Sequence, residues 1–202
     1  MPVRKLIRHV RQRRSSLNFE VPSKKVKSVA IVLNGASSAG KTSIAKALQR
    51  LCTTPVLHAS LDTFTDMFHW PAIGDEVVRR ECRRIGVANF HASLSILASS
   101  RFPIVIDHVF EDHAWFEACR DALKEKQAYF VGVHCPIAVL EQREKARGDR
   151  RIGLCRRQFE RVHEGKPYSL NVDSSKQSPD ECATAILNLV ANAETAPAGA
   201  EI

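Results

Sequence analysis

Gly35-Ala36-Ser37-Ser38-Ala39-Gly40-Lys41-Thr42 has the spacing G-x-x-x-x-G-K-[ST] of a phosphate-binding loop. The chemistry requires these residue types. Gly35 and Gly40 let the backbone wrap tightly enough for successive N–H groups, up to that of Ser43, to face phosphate oxygens. Lys41 is spaced to reach the β- and γ-phosphates, and the Thr42 hydroxyl to hold Mg²⁺. The motif carries weight only between a strand and a helix, and both are legible. Val29 to Leu33 is an unbroken apolar run, as a strand buried on both faces requires. Beyond the loop, Ile44, Ala47, Leu48 and Leu51 recur at helical spacing, and the dipole of that helix adds to the anion site. The stretch 35–43 predicts a nucleoside triphosphate site.

The rest of the chain repeats the strand–helix alternation. Val56 to Ser60 reads as a short second strand and Pro103 to Asp107 as a third. Tyr129 to His134 reads as a fourth strand and Tyr168 to Asp173 as a fifth. Helical stretches run over Val77–Ala98, Asp112–Lys126 and Pro136–Arg147, and a last helix starts at Ser178-Pro179-Asp180-Glu181. This order predicts an α/β fold: a three-layer P-loop arrangement with about five parallel strands between helices.

Ligands of open parallel sheets gather at the carboxyl ends of the strands, which makes the acidic residues there informative. Asp62 follows the second strand, where it can take a proton from an attacking hydroxyl or cap a short helix through Phe68, or do both. Asp107 closes the third strand, the usual position for holding Mg²⁺, often through water. His108 follows it, so the glutamate that activates water in motor ATPases is absent, as is the Asn-Lys-x-Asp guanine signature. Both absences favour phosphoryl transfer. His108, Glu111, Asp112 and His113 read as loop and capping residues rather than a metal cluster. The charged run from Arg143 to Arg151 breaks at Gly148 and suits a short lid, with Arg147 and Arg150 placed to neutralise transition-state charge. The turn at Asp173 and Ser174 is where this architecture usually meets an adenine base. Phe64, Met67, Phe68 and Trp70 form either an acceptor-pocket wall or plain core, and His69 and His91 have no evident partners.

The formal charge of +8 is localised. Residues 1–27 carry nine basic residues against Glu20 alone, so residues 28–202 are neutral overall. That segment reads as a disordered basic arm; an amphipathic surface helix, an organelle-targeting segment and a nucleic-acid contact are the alternatives. The domain is expected over 28–192 and a disordered tail over 193–202. No membrane span is evident, and six scattered cysteines without a C-x-x-C pair read as reduced thiols, which points to the cytoplasm.

Taken together, these segments resemble the chloramphenicol phosphotransferase family. The resemblance is carried by the loop 35–42, Asp62, Ile-Asp-x-Val-Phe around Asp107 and Val-Gly-Val-x-Cys at 131–135. Most specific are Arg-Glu-x-Ala-Arg-Gly-Asp-Arg at 143–150, Val-His-Glu-Gly at 162–165 and Val-Asp-Ser-Ser at 172–175. It implies a shikimate-kinase-like fold, Mg-ATP as cofactors, a hydroxylated small-molecule acceptor and Asp62 as the catalytic base. Two other functions stay open at this point. One is a kinase of polynucleotide ends that uses the basic arm; the other is a nucleotide sensor that transfers nothing.

Overall fold

The computed structural model describes residues 28–148 and 152–195, with residues 194 and 195 described by backbone alone. The expected basic arm, Arg150 and most of the expected tail lie outside the described residues. Strands and helices follow one another along the described residues and build one sheet. Its strands are β1 (Ala30–Asn34), β2 (Leu57–Ser60), β3 (Ile104–His108), β4 (Ala128–His134) and β5 (Leu170–Asp173). All pairings are parallel, in the order β2-β3-β1-β4-β5.

β1 is central, and all five of its residues are buried. Successive side chains of a strand point to opposite faces, so β1 feeds two cores. Ile31 and Leu33 pack with Ile44, Leu48 and Ile186 on one face, while Ala30 and Val32 pack with Phe90, Leu94, Phe110 and Phe116 on the other. The first face is covered by α1 (Lys41–Leu51), α5 (Ile137–Arg147) and α7 (Pro179–Thr195). The second is covered by α3 (Glu76–Ala98) and α4 (His113–Ala122). Two short helices, α2 (Leu61–Thr65) and α6 (Leu154–Phe159), stand over the carboxyl end of the sheet, where their residues line the main cleft.

The helix starts follow their local chemistry. Asp75 accepts from the Val78 N–H at 2.9 Å and Asp112 from the Ala114 N–H at 2.9 Å. Ser178 and Glu181 form a reciprocal capping box at α7, with Ser178 N–H donating to Glu181 at 2.7 Å.

Several expectations need correction. β1 and β3 each end one residue later than expected, at Asn34 and His108. The capping position of α2 is Ser60, which places Asp62 inside the helix. Pro136 sits at the cap of α5 rather than in its first turn. α4 stops at Ala122, and α7 continues to Thr195. The helix α6 had no sequence signal, because six residues are too few to display a period. His91 does have a partner: its Nε2 lies 2.8 Å from Nε2 of His108. Burial holds His91 below its ordinary value and His108 at about 3, so a neutral pair shares one hydrogen bond at the end of β3. Among the described residues, no helix is long and apolar enough to cross a membrane.

Candidate active site

The loop after β1 turns sharply into α1. Ser38 and Gly40 both take the left-handed conformation, with φ of 65° and 88°. At Gly35 the demand is closeness rather than φ: a Cβ there would lie 2.4 Å from the Val133 carbonyl oxygen. Val133 belongs to β4, which is paired on both sides and cannot retreat. Gly35→Ala is therefore expected to lower stability by about 2 kcal/mol, read as a lower urea midpoint at unchanged slope.

Lys41 begins α1 and is buried. Its Nζ donates to the Ala36 carbonyl at 3.0 Å and lies 3.9 Å from Asp107 Oδ1. The Thr42 hydroxyl donates to Asp107 Oδ2 at 2.6 Å. β1 and β3 are direct neighbours, with Leu33 paired to Asp107, and this register brings residues 65 positions apart into contact. Burial alone would raise the Asp107 pKa; a hydrogen-bonding interaction with His58, the Lys41 charge and the Thr42 hydroxyl outweigh it and hold the carboxyl below its ordinary value. The geometry qualifies the His58 contribution. Its Nε2 is 3.8 Å from Asp107 Oδ2, beyond hydrogen-bond length, and this buried nitrogen has no hydrogen-bond partner. We take His58 as a weak dipolar neighbour and Thr42 and Lys41 as the groups that hold Asp107 ionised. A hydroxyl and an ionised carboxylate side by side are the hard oxygen donors that Mg²⁺ prefers.

The loop opens into a cleft of about 1120 Å³, lined by Ser37, Ser38 and Gly40 to Ser43, together with Asp62, Asp107, Arg147 and Ser174. These sequence-identified residues thus share one cavity. Gly35, Ala36 and Ala39 are the loop's inner side; Ala36 and Ala39 are buried in the core behind it. Asp62, half-buried at the second position of α2, stands on the far wall. Arg147 ends α5 on the near side. Asp173 differs. It lines a separate hollow of about 300 Å³ behind the loop, and its carboxylate accepts from the Ser175 N–H and hydroxyl at 2.9 and 2.6 Å. Those bonds and Lys176 hold its pKa at about 2. Its neighbour Ser174 faces the main cleft.

Four participants escaped the sequence reading. Arg143, one turn before Arg147, donates to the Ser174 hydroxyl at 3.1 Å and to the Ser174 carbonyl at 2.8 Å. It joins α5 to the β5–α7 turn at the mouth of the loop. Gln158 of α6 accepts from the Ser37 N–H at 2.7 Å and donates to Glu111 at 2.7 Å, tying α6 to the phosphate loop. Glu144 is buried and accepts from the Gly153 and Cys155 N–H groups at 2.7 and 2.8 Å. It closes the N-terminus of α6 across the segment after Gly148. Asn34 donates to the Val162 carbonyl at 2.7 Å and to the Tyr168 hydroxyl at 2.6 Å, and accepts from the Phe110 N–H at 3.0 Å. The end of β1 is thereby fixed to both flanking loops. Only the density of charged residues over 143–151 hinted at any of these roles.

The family profile described as "Chloramphenicol phosphotransferase-like protein" matches residues 28–191, which include the phosphate loop and the residues of this cleft. The chain belongs to this family. Among curated relatives, "Putative O-phosphotransferase Rv2636" of Mycobacterium tuberculosis is 26% identical over 186 residues, covering 76% of this chain and 78% of that protein. Shikimate kinase from Acinetobacter baumannii, solved with shikimate, has a TM-score of 0.64 at 17% identity, covering 87% of this chain and all of that one. The APS kinase CysC of M. tuberculosis, solved with AMPPNP and APS, has a TM-score of 0.63 at 15% identity and covers 82% of this chain and 98% of its own. At such identities the likeness is one of fold. The chloramphenicol phosphotransferase-like chain has the sheet and phosphate loop of the P-loop kinases.

Proposed function

We propose that this protein is an ATP-dependent O-phosphotransferase that moves the γ-phosphoryl group of ATP to a hydroxyl of a small molecule. One observation carries the reading: the phosphate loop and a carboxylate on the opposite wall, Asp62, face a single cleft with room for a nucleotide and a small acceptor. The family relationship and the curated relative described as an O-phosphotransferase agree with it.

In this mechanism the loop amides from Ser37 to Ser43 and the N-terminus of α1 hold the phosphates. Ser174 flanks the adenine side, where Arg143 fixes the turn, and Asp173 shapes that turn from behind through Ser175. Thr42 and Asp107 would hold Mg²⁺, which would supply neutralisation of the phosphate charge. Asp62 takes the proton of the acceptor hydroxyl as its oxygen attacks the γ-phosphorus in line. The bond from that phosphorus to the bridging oxygen breaks, and ADP carries away the electron pair. Lys41, Arg147 and Arg150 stabilise the charge that develops on the transferred group and on the leaving oxygen. The six unpaired thiols suit a reducing compartment, and we place the enzyme in the cytoplasm.

The test is transfer of labelled phosphate from Mg-ATP to chloramphenicol and to a panel of hydroxylated small molecules. Label appearing on one of them, with ADP formed in equal amount, is the expected result. Tight ATP binding without transfer to any small molecule overturns the assignment, and labelled polynucleotide ends would replace it by the polynucleotide-kinase function.

A further inference from the structure

We propose that the acceptor carries an oxyanion, a carboxylate or a phosphate or sulfate ester, and that Arg80 and Arg83 of α3 bind it. This rests on the phosphotransferase reading and specifies its substrate class.

The inference starts from which cleft cations are already engaged. On the nucleotide side, Lys41 contacts Ala36 and Asp107, Arg143 is bound to Ser174, and Arg157 lies 3.6 Å from Glu111. On the α3 wall, Arg79 is committed to structure: it donates to the Ile73 carbonyl at 2.6 Å and to the Trp70 carbonyl at 3.0 Å, holding the loop before α3. Arg80 and Arg83 differ. Both line the cleft, both are exposed, and neither has a hydrogen-bond or ion-pair partner among the described residues. The carboxylates of Asp66 and Glu76 line the same wall without pairing to either arginine. Three residues apart on a helix, the two guanidinium groups are neighbours on one face and can converge on a single anion.

Their place in the cleft decides which anion. Gly86, one turn further along α3, packs against α2: a Cβ there would meet the Thr65 Cα at 3.3 Å. Arg79 fixes the preceding turn to the loop at Trp70 and Ile73. Arg80 and Arg83 therefore stand between two contacts on the Asp62 side, on the wall opposite the phosphate loop. In the phosphotransferase reading the phosphates of ATP take Lys41 and the α5 arginines Arg143 and Arg147, which line the cleft. The α3 pair is left for the acceptor. Held there, an anion at one end of the acceptor orients a hydroxyl at the other toward Asp62 and the γ-phosphate. Trp70 and Trp115, on the same cleft, give the acceptor an apolar flank between the two.

The experiment compares matched acceptors with and without the anion: gluconate with glucose, and glycerol 3-phosphate with glycerol. Each is offered to the full-length wild type and to the double variant Arg80→Gln/Arg83→Gln with Mg-ATP. Because both side chains are exposed and unpaired, the variant is expected to fold with an unchanged urea midpoint. Wild type should favour the anionic member of a pair by about tenfold or more in kcat/KM. The variant should lose that preference, mostly through KM. Carboxylate-only or phosphate-only preference identifies which oxyanion is meant. Equal use of both members by wild type, or a preference that survives in the variant, overturns the proposal and leaves the phosphotransferase reading standing. If no compound is phosphorylated, that reading is the one in difficulty, and calorimetric binding of the same pairs decides the present proposal. Tighter binding of the anionic member that the variant loses supports it; equal or absent binding overturns it.

Discussion

Asp62→Asn is expected to reduce phosphoryl transfer by about a hundredfold or more while nucleotide binding stays close to wild type. The amide is isosteric with the carboxylate but cannot take the acceptor's proton, so the attacking oxygen must lose it to water. Asp62 belongs to the first turn of α2, where losing a favourable charge near the helix start costs about 0.5 kcal/mol. In the proposed mechanism the nucleotide is held by the phosphate loop rather than by α2. Single-turnover transfer of labelled phosphate, run beside equilibrium binding of ATP, separates the two effects. Undiminished turnover would remove Asp62 from the role of base; weakened ATP binding would move it to the nucleotide side.

The second large effect is on the start of α6. Glu144→Ala leaves the N–H groups of Gly153 and of buried Cys155 without their acceptor, a loss of about 3 kcal/mol. For a domain of this size the midpoint of thermal unfolding should fall by roughly 6 to 12 °C. The consequence extends to the cleft, because α6 carries Gln158 against the Ser37 N–H and Arg157 near Glu111. Burial raises the pKa of Glu144, but the hydrogen bonds from Cys155 and Gly153 outweigh it and hold the group below its ordinary value. The sign of the pH dependence follows. A depressed carboxylate contributes its full stabilisation above the unfolded value, about 4.3, and loses it as pH falls through the folded one. Melting followed from pH 6 to pH 3 should therefore converge between wild type and Glu144→Gln, which has no group to titrate at this position. Parallel curves would show that Glu144 does not act as a carboxylate.

How legible the protein was in its sequence depended on the range of the interactions involved. The loop 35–42 was readable because a phosphate cradle is a local conformation, encoded by two glycines, a lysine and a threonine at fixed spacing. The strands were readable because a strand buried on both faces needs an apolar run, as in Ile104-Val105-Ile106. α7 was readable because its capping box lies within four residues. The family resemblance rested on the same kind of local string. α6 was not readable: six residues show no period, and its start is stabilised by Glu144, nine residues away in sequence. Nor was the pairing of His91 with His108, since each side chain is ordinary until a helix and a strand are packed together.

The sequence by itself determined the class of fold, the phosphate loop and the candidate carboxylates at the strand ends, because each depends on neighbours a few positions apart. Only the tertiary structure decided that β1 lies between β3 and β4, and hence that Asp107 meets Thr42. It alone separated the many arginines into those bound within the protein, such as Arg79 and Arg143, and those left open to the cleft, Arg80 and Arg83 among them. The reason is physical. A side chain's charge is written in the sequence, but its partner is set by burial and by contacts between segments that lie far apart along the chain.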